Sequence, residues 1–278
     1  MEPMSVMQAA VLGVVQGLTE FLPISSSAHL RVVPALLGWP DPGAAYSAVI
    51  QLGSVCAVFS YFWRDLMSIL SGSVKALAKK DLAGQNVRIL AAMLIGTLPI
   101  GILGLAFQHV LEQENGPLRS LVVTGAASIF MGLFLLFAEK IGKRLRGIES
   151  VGAQDGLLVG LGQALALIPG CSRSGSTLTV ALLLNMRRQD AARFSFLLGL
   201  PATTLAGLLE LKHLVGSGLD GARLLPLAVG LAVSTVVSYV SIAWLLKFLQ
   251  THSTGLFIGY RLIFGAAVVA LSLKNIIH

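Results

Sequence analysis

Long apolar runs broken by short charged gaps fill the chain. A helix that crosses a bilayer needs about 20 predominantly apolar residues. Six stretches meet that length: Tyr46–Trp63, Ile89–Val110, Leu121–Ala138, Phe194–Leu214, Pro226–Leu249 and Leu256–Ile276. Two further apolar regions are interrupted. Met4–Leu22 runs into Pro23 and Ser25-Ser26-Ser27 before a short arm, Ala28–Leu37; Gly156–Ile168 runs into Pro169-Gly170 and Ser172-Arg173-Ser174 before Thr177–Met186. Proline removes a backbone donor and stops the first arm. The serines then cap a second helix by accepting from its free N–H groups. Broken backbone at membrane depth survives only where protein or a wet cavity satisfies it, so each interrupted region predicts a re-entrant hairpin lining a polar pocket.

Charge in the gaps orients the crossings. Arg64, Lys75, Lys79, Lys80 and Arg88 follow the first, and Lys140, Lys143, Arg144 and Arg146 follow the third, so both gaps read as cytoplasmic. Glu112 and Glu114 against Arg119 mark the gap between them as external, Arg187, Arg188 and Arg193 return inside, Asp220 and Arg223 lie outside, and Lys247 lies inside. Six crossings then put both termini outside. Aligning Pro23 with Pro169 superposes Leu12 on Leu158, Ser26 on Ser172 and Gly53 on Gly199, an internal repeat of about 146 residues. Each half, roughly 1–140 and 147–278, holds one hairpin and three crossings, and an odd number inverts the second copy relative to the first. The expected fold is all-α and polytopic: a single membrane domain, residues 1–278, with six spanning helices and two re-entrant helical hairpins in an inverted-topology repeat.

Composition agrees. Hydrophobic residues make up 55% of the 278, charged residues only 12%, and mean hydropathy is +0.82, whereas soluble domains carry about 25% charged residues. The net charge of +7 sits in the gaps rather than along one soluble face, which argues for membrane orientation and against nucleic acid. No Lys or Arg precedes Arg31, so the first apolar stretch lacks the basic region of a cleaved leader and is expected to stay. Cys56 and Cys171 have no metal-ligand spacing.

The chemistry lies at the two breaks. Gln16 and Glu20 are four apart, on one helix face, and Glu20 is the only acid between Glu2 and Asp41. An ionisable group inside a membrane segment is costly enough to mark a functional site. Glu20 reads as a metal ligand or general base, or as the structural partner of Arg173; Gln16 can add an amide oxygen for a hard cation such as Mg²⁺ or Ca²⁺. Arg173 is the only strong base between Arg146 and Arg187. Its forked guanidinium suits phosphate oxygens, and the hydroxyls and N–H groups of the following half-helix, with Ser174 and Thr177, suit the same anion. His29 follows Ser26 by three residues and Ser25 by four, so its imidazole reaches either hydroxyl as the start of an activated nucleophile, or else fills a helix turn. Ser26 as nucleophile and a His- or metal-activated water are both open. His109, His213, His252 and His278 stand alone near helix ends and read as interfacial. Arg261, inside the last apolar segment, reads as snorkelling to the cytoplasmic surface or, less readily, as taking a role in the pocket.

Gln16-x-x-x-Glu20 with Pro23 and Ser25-Ser26-Ser27-x-His29, then Pro169-Gly170-x-Ser172-Arg173-Ser174-x-x-Thr177, resembles the undecaprenyl-diphosphate phosphatases of the bacitracin-resistance type. Ile50-Gln51-Leu52-Gly53-Ser54, Phe194-Ser195-Phe196-Leu197-Leu198 and Tyr260-Arg261 extend the likeness over almost the whole chain. The resemblance implies hydrolysis of undecaprenyl diphosphate to undecaprenyl phosphate, recycling the carrier lipid of cell-wall synthesis in the bacterial cytoplasmic membrane. It further implies a divalent cation, an active site opening to the outer face and a homodimer. It makes Glu20, Ser26, His29 and Arg173 catalytic, with Gln16, Ser25, Ser27, Ser172, Ser174 and Thr177 around the substrate. Its first position admits Glu or Gln; Gln16 here removes a second carboxylate. The rival reading is a lipid flippase or secondary transporter, since broken helices in inverted repeats are also a transport architecture.

Overall fold

A computed structural model describes residues 4–111, 113, 116, 118, 120–216 and 221–277. The external charges Glu112, Glu114, Arg119 and Asp220, and His278, lie outside the described residues, as does the side chain of Arg223. Every named element among the described residues is helical. The first hairpin is α1 (Val6–Thr19) and α2 (Ser26–Leu37); α3 (Gly43–Tyr61), α4 (Trp63–Ala78), α5 (Gln85–Ala106), the short α6 (Gln108–Leu111) and α7 (Leu121–Ile141) complete the first half. The second hairpin is α8 (Ala153–Ala164) and α9 (Arg173–Leu183), followed by α10 (Arg188–Gly216), α11 (Gly221–Thr251) and α12 (Gly255–Leu273).

Five helices, α5, α7, α10, α11 and α12, are long and apolar enough to cross a membrane. The sixth crossing passes that test only as α3 taken together with α4, from which it is bent by 71°. Here the structure corrects the reading of 64–78 as a polar gap: it is the amphipathic helix α4. Leu66, Ile69 and Ser73 form its buried stripe while Arg64 and Lys75 stay exposed, the three-four spacing of a one-sided helix.

The two breaks are built alike, but Ser25 rather than Ser26 is the counterpart of Ser172, one residue off the sequence alignment. Ser25 caps α2 with φ 77° and accepts from the Ala28 N–H; Ser172 caps α9 with φ 68° and accepts from the Gly175 N–H. Positive φ in a residue with a side chain is uncommon and strained, and such residues collect at functional turns. Arg146 fixes where the second hairpin begins and ends. Its guanidinium donates to both carboxylate oxygens of Asp155 in the first turn of α8 and to the Leu184 carbonyl just past α9. Start and finish therefore share one end of the bundle, compatible with a re-entrant hairpin. Asp65 with Arg193, and Glu139 with Arg144, Arg188 and Thr254, gather the other charged gaps into ion pairs and hydrogen bonds.

Packing between the halves is reciprocal. α1 lies mainly on α11, and α8 mainly on α5. Both seams depend on glycine for close approach. A Cβ at Gly156 would stand 2.3 Å from the Ala92 carbonyl oxygen, and one at Gly160 would stand 2.3 Å from that of Gly96. On the other seam a Cβ at Gly13 would meet the Gly230 carbonyl oxygen at 2.8 Å. Without a hydrophobic drive between helices in lipid, such small-residue contacts carry much of the association. One apolar cluster, including Phe21, Phe62, Leu178, Phe194, Phe196 and Leu245, runs through both halves beneath the breaks.

Candidate active site

The turn after α1 brings Glu20 back beneath the start of α2, and the start of α9 brings Arg173 to it. Arg173 Nη2 donates to Glu20 Oε1 at 3.0 Å. Glu20 Oε2 accepts from Ser26 Oγ at 2.7 Å and from Gln16 Nε2 at 2.9 Å. One carboxylate thus joins both breaks and takes three donors, in surroundings that leave its side chain only 5% exposed and that of Arg173 14%. Gln16, Glu20, Ser26 and Arg173 form one connected group. A charge-assisted network of this kind is shorter and stronger than a neutral one.

The remaining expected residues stand around it with different partners. Thr177 donates to the Arg173 carbonyl at 2.8 Å and shares a short hydrogen bond with Ser195 Oγ, so it holds the backbone from which Arg173 reaches. Ser172 and Ser174 pair at 3.2 Å, and Ser174 donates to the Leu22 carbonyl across the interface of the two breaks. Ser25 and Ser27 pair at 3.1 Å, and Ser27 Oγ accepts from the Gly170 N–H.

Two expectations are corrected. His29 hydrogen-bonds neither serine hydroxyl: Nδ1 lies 2.7 Å from the Ser25 carbonyl oxygen and Nε2 lies 2.6 Å from the Tyr260 hydroxyl. A carbonyl only accepts, so Nδ1 carries the proton and Nε2 accepts from Tyr260. The helix register places His29 near residue 25 as expected, but the backbone wins the contact. The group poised on Ser26 is Glu20. Arg261 does not snorkel. It is 1% exposed and donates to the carbonyls of Pro23, Gly170, Cys171 and Ser128 at 2.7–3.2 Å. The acceptors belong to both breaks and to α7, so one guanidinium clasps the two turns together. Of the isolated histidines, His109, His213 and His252 are exposed.

Other groups carry no advance signal. Ser54 receives a 3.4 Å hydrogen bond from Gln16 and pairs with Ser238 and Ser234, a hydroxyl ladder behind the carboxylate. Gly199 makes room for the arginine: a Cβ there would lie 1.6 Å from Arg173 Nη1. Ser54 closes one of the stretches that carry the family likeness and Gly199 directly follows another, yet nothing local marks their use. The pocket bounded by Glu20, Arg173, Ser54, Phe196 and Thr203 has a volume of about 10 Å³, about one water.

Among the described residues no three His, Cys, Asp or Glu side chains cluster as a metal-ligand set. A hard cation that completes its shell with phosphate oxygens and water needs fewer protein ligands. Glu20 fits that smaller demand together with Gln16, whose Oε1 is buried without a hydrogen-bond partner.

The chain is 55% identical over 270 residues to the undecaprenyl-diphosphatase of Gloeobacter violaceus, covering 97% of this chain and 93% of that protein. It is 53% identical over 269 residues to that of Trichormus variabilis, covering 96% and 84%, and 54% identical over 270 residues to that of a Synechococcus strain, CC9902, covering 96% and 95%. Residues 9–267 match the family described as bacitracin resistance protein BacA. With that match spanning both breaks, the chain belongs to the BacA family.

Proposed function

We propose that this chain hydrolyses undecaprenyl diphosphate to undecaprenyl phosphate and phosphate within the bacterial cytoplasmic membrane. The observation that carries the reading is the Ser26–Glu20–Arg173 chain: a hydroxyl, the carboxylate that accepts its proton and a cation for the phosphate, contributed by both breaks. Names of close relatives over nearly the full chain support the substrate.

Chemically, Ser26 Oγ passes its proton to Glu20 Oε2 as it forms a bond to the terminal phosphorus. The bond from that phosphorus to the bridging oxygen breaks, and undecaprenyl phosphate departs. Water then attacks the phosphoserine, releasing phosphate and restoring Ser26; a water attacking directly in place of Ser26 is the second form of the same reaction. Arg173 and the N–H groups opening α9 face the anionic phosphoryl oxygens, where preorganised donors contribute most. Because the pocket admits little more than one water, the terminal phosphate enters as Arg173 leaves Glu20 for the substrate. Glu20 and Gln16 would hold the Mg²⁺ or Ca²⁺; such an ion neutralises diphosphate charge. His29 and the serines at positions 25, 27, 172 and 174 keep the two turns in shape, and Thr177 anchors Arg173.

The same reading makes the protein one membrane domain of two inverted halves, 1–140 and 147–278, supported by the matched serine caps and reciprocal packing. Six crossings put both termini outside, the site opens outward, and the functional unit is a homodimer with no role for nucleic acid. Purified protein with undecaprenyl diphosphate and Mg²⁺ should release phosphate, with Glu20→Gln, Ser26→Ala and Arg173→Ala each reducing release at least 100-fold. Movement of intact lipid with no phosphate produced would overturn the reading in favour of a flippase.

A further inference from the structure

Beside the polar pocket lies a second cavity of about 350 Å³ with almost wholly apolar walls, between α3, α4, α5 and α10. Phe59, Leu66, Leu90, Leu200, Leu205 and Leu208 form most of it. Its volume falls in the roughly 300–1,000 Å³ range of ligand pockets. The backbone explains the gap. α3 turns by 71° into α4 at Phe62, and Pro201, which also lines the cavity, cannot donate to the Leu197 carbonyl and interrupts the ladder of α10.

Leu200 lines both cavities and forms the partition between them. On one side stand Glu20 and Arg173, on the other only hydrocarbon and the Thr204 hydroxyl, which is buried without a partner. An amphiphile with a diphosphate head and a hydrocarbon tail matches this polarity step. We propose that the apolar cavity receives the first isoprene units of the prenyl tail, and that the α5–α10 face thereby selects long-chain prenyl diphosphates over short-chain ones. This rests on the phosphatase reading above. Lipid is as apolar as the tail, so no hydrophobic drive favours the groove; selection comes from shape, and its size is modest.

The test compares kcat/KM for undecaprenyl diphosphate and for dimethylallyl diphosphate, a five-carbon probe, in detergent micelles. Thr204→Trp on α10 and Leu90→Trp on α5 fill the groove from different helices, and Leu161→Trp on α8, exposed outside it, serves as control. The groove variants should lower the long-to-short ratio five- to tenfold through KM, and the control should leave it unchanged. An unchanged ratio in both groove variants, or an equal loss for both substrates in both, overturns the groove assignment while leaving the phosphatase reading intact. If the unaltered protein releases phosphate from neither substrate, the phosphatase reading itself fails and the groove falls with it. A photoreactive group on the first isoprene unit adds a readout independent of rate. Crosslinks should map to α5 and α10; crosslinks confined to α7 and α12 would refute the placement.

Discussion

Gly199→Ala separates holding the fold from holding the arginine. A Cβ at that position would lie 1.6 Å from Arg173 Nη1 and 2.5 Å from Cζ, inside any allowed contact, so the guanidinium must leave. It is the free end of a flexible side chain, and its departure needs no backbone movement. Ala is favoured over Gly inside a helix by up to about 1 kcal/mol, so α10 itself does not suffer. The loss falls on the 3.0 Å contact to Glu20 and on the cation facing the phosphate. Removing one preorganised donor costs about 10²–10³ in rate, or roughly 3–4 kcal/mol. Phosphate release should therefore drop at least 100-fold while the melting temperature in detergent stays within a few degrees. The double variant tests the cause: with Arg173→Ala already present, Gly199→Ala should add almost nothing, as coupled sites do. Retention of more than a third of the rate, or costs that simply add, would refute the cradle.

Arg261→Met leaves carbonyls of both breaks without their donor at about 1–3 kcal/mol each, so it should fold poorly, while Arg261→Lys should restore the charge but only part of the activity because it lacks the fork; thermal unfolding with the phosphate assay checks both. Tyr260→Phe removes one hydrogen bond to His29, worth about 1 kcal/mol, and should leave phosphate release within fivefold; abolition would place Tyr260 in the chemistry. Gly160→Ala drives a Cβ to 2.3 Å from a backbone carbonyl rather than a movable side chain, so it should part α8 from α5 and lower yield and melting temperature together, measurable by detergent size-exclusion and unfolding; normal stability would refute the tight seam.

Much of this was written in the apolar runs. Spans and breaks were legible because membrane depth leaves few alternatives: Pro23 and Pro169 followed by serines have no other economical backbone solution. The meeting of Glu20 with Arg173 was legible because lone buried charges of opposite sign seek one another. Helix α4 was hidden because Arg64, Asp65 and Lys75 dilute its apolar stripe below the level of a crossing. Arg261 was misread because its acceptors are carbonyls in irregular turns, which no residue type announces. His29 was placed in the right turn and given the wrong partner, since spacing cannot distinguish a hydroxyl from the carbonyl of the same serine. The pairing of Ser26 with Glu20 depends on how the turn folds back, which six residues of separation do not reveal.

The crossed seams also constrain how the protein is made. α1 leaves the ribosome well before α11, the helix it rests on, has been made. Until then its small-residue face has only lipid or insertion machinery to lean on, and the acid at its end has no counter-charge before Arg173 arrives. Truncation late in the chain should thus harm the beginning most: a product ending before α11 would leave its opening hairpin exposed to quality-control proteases.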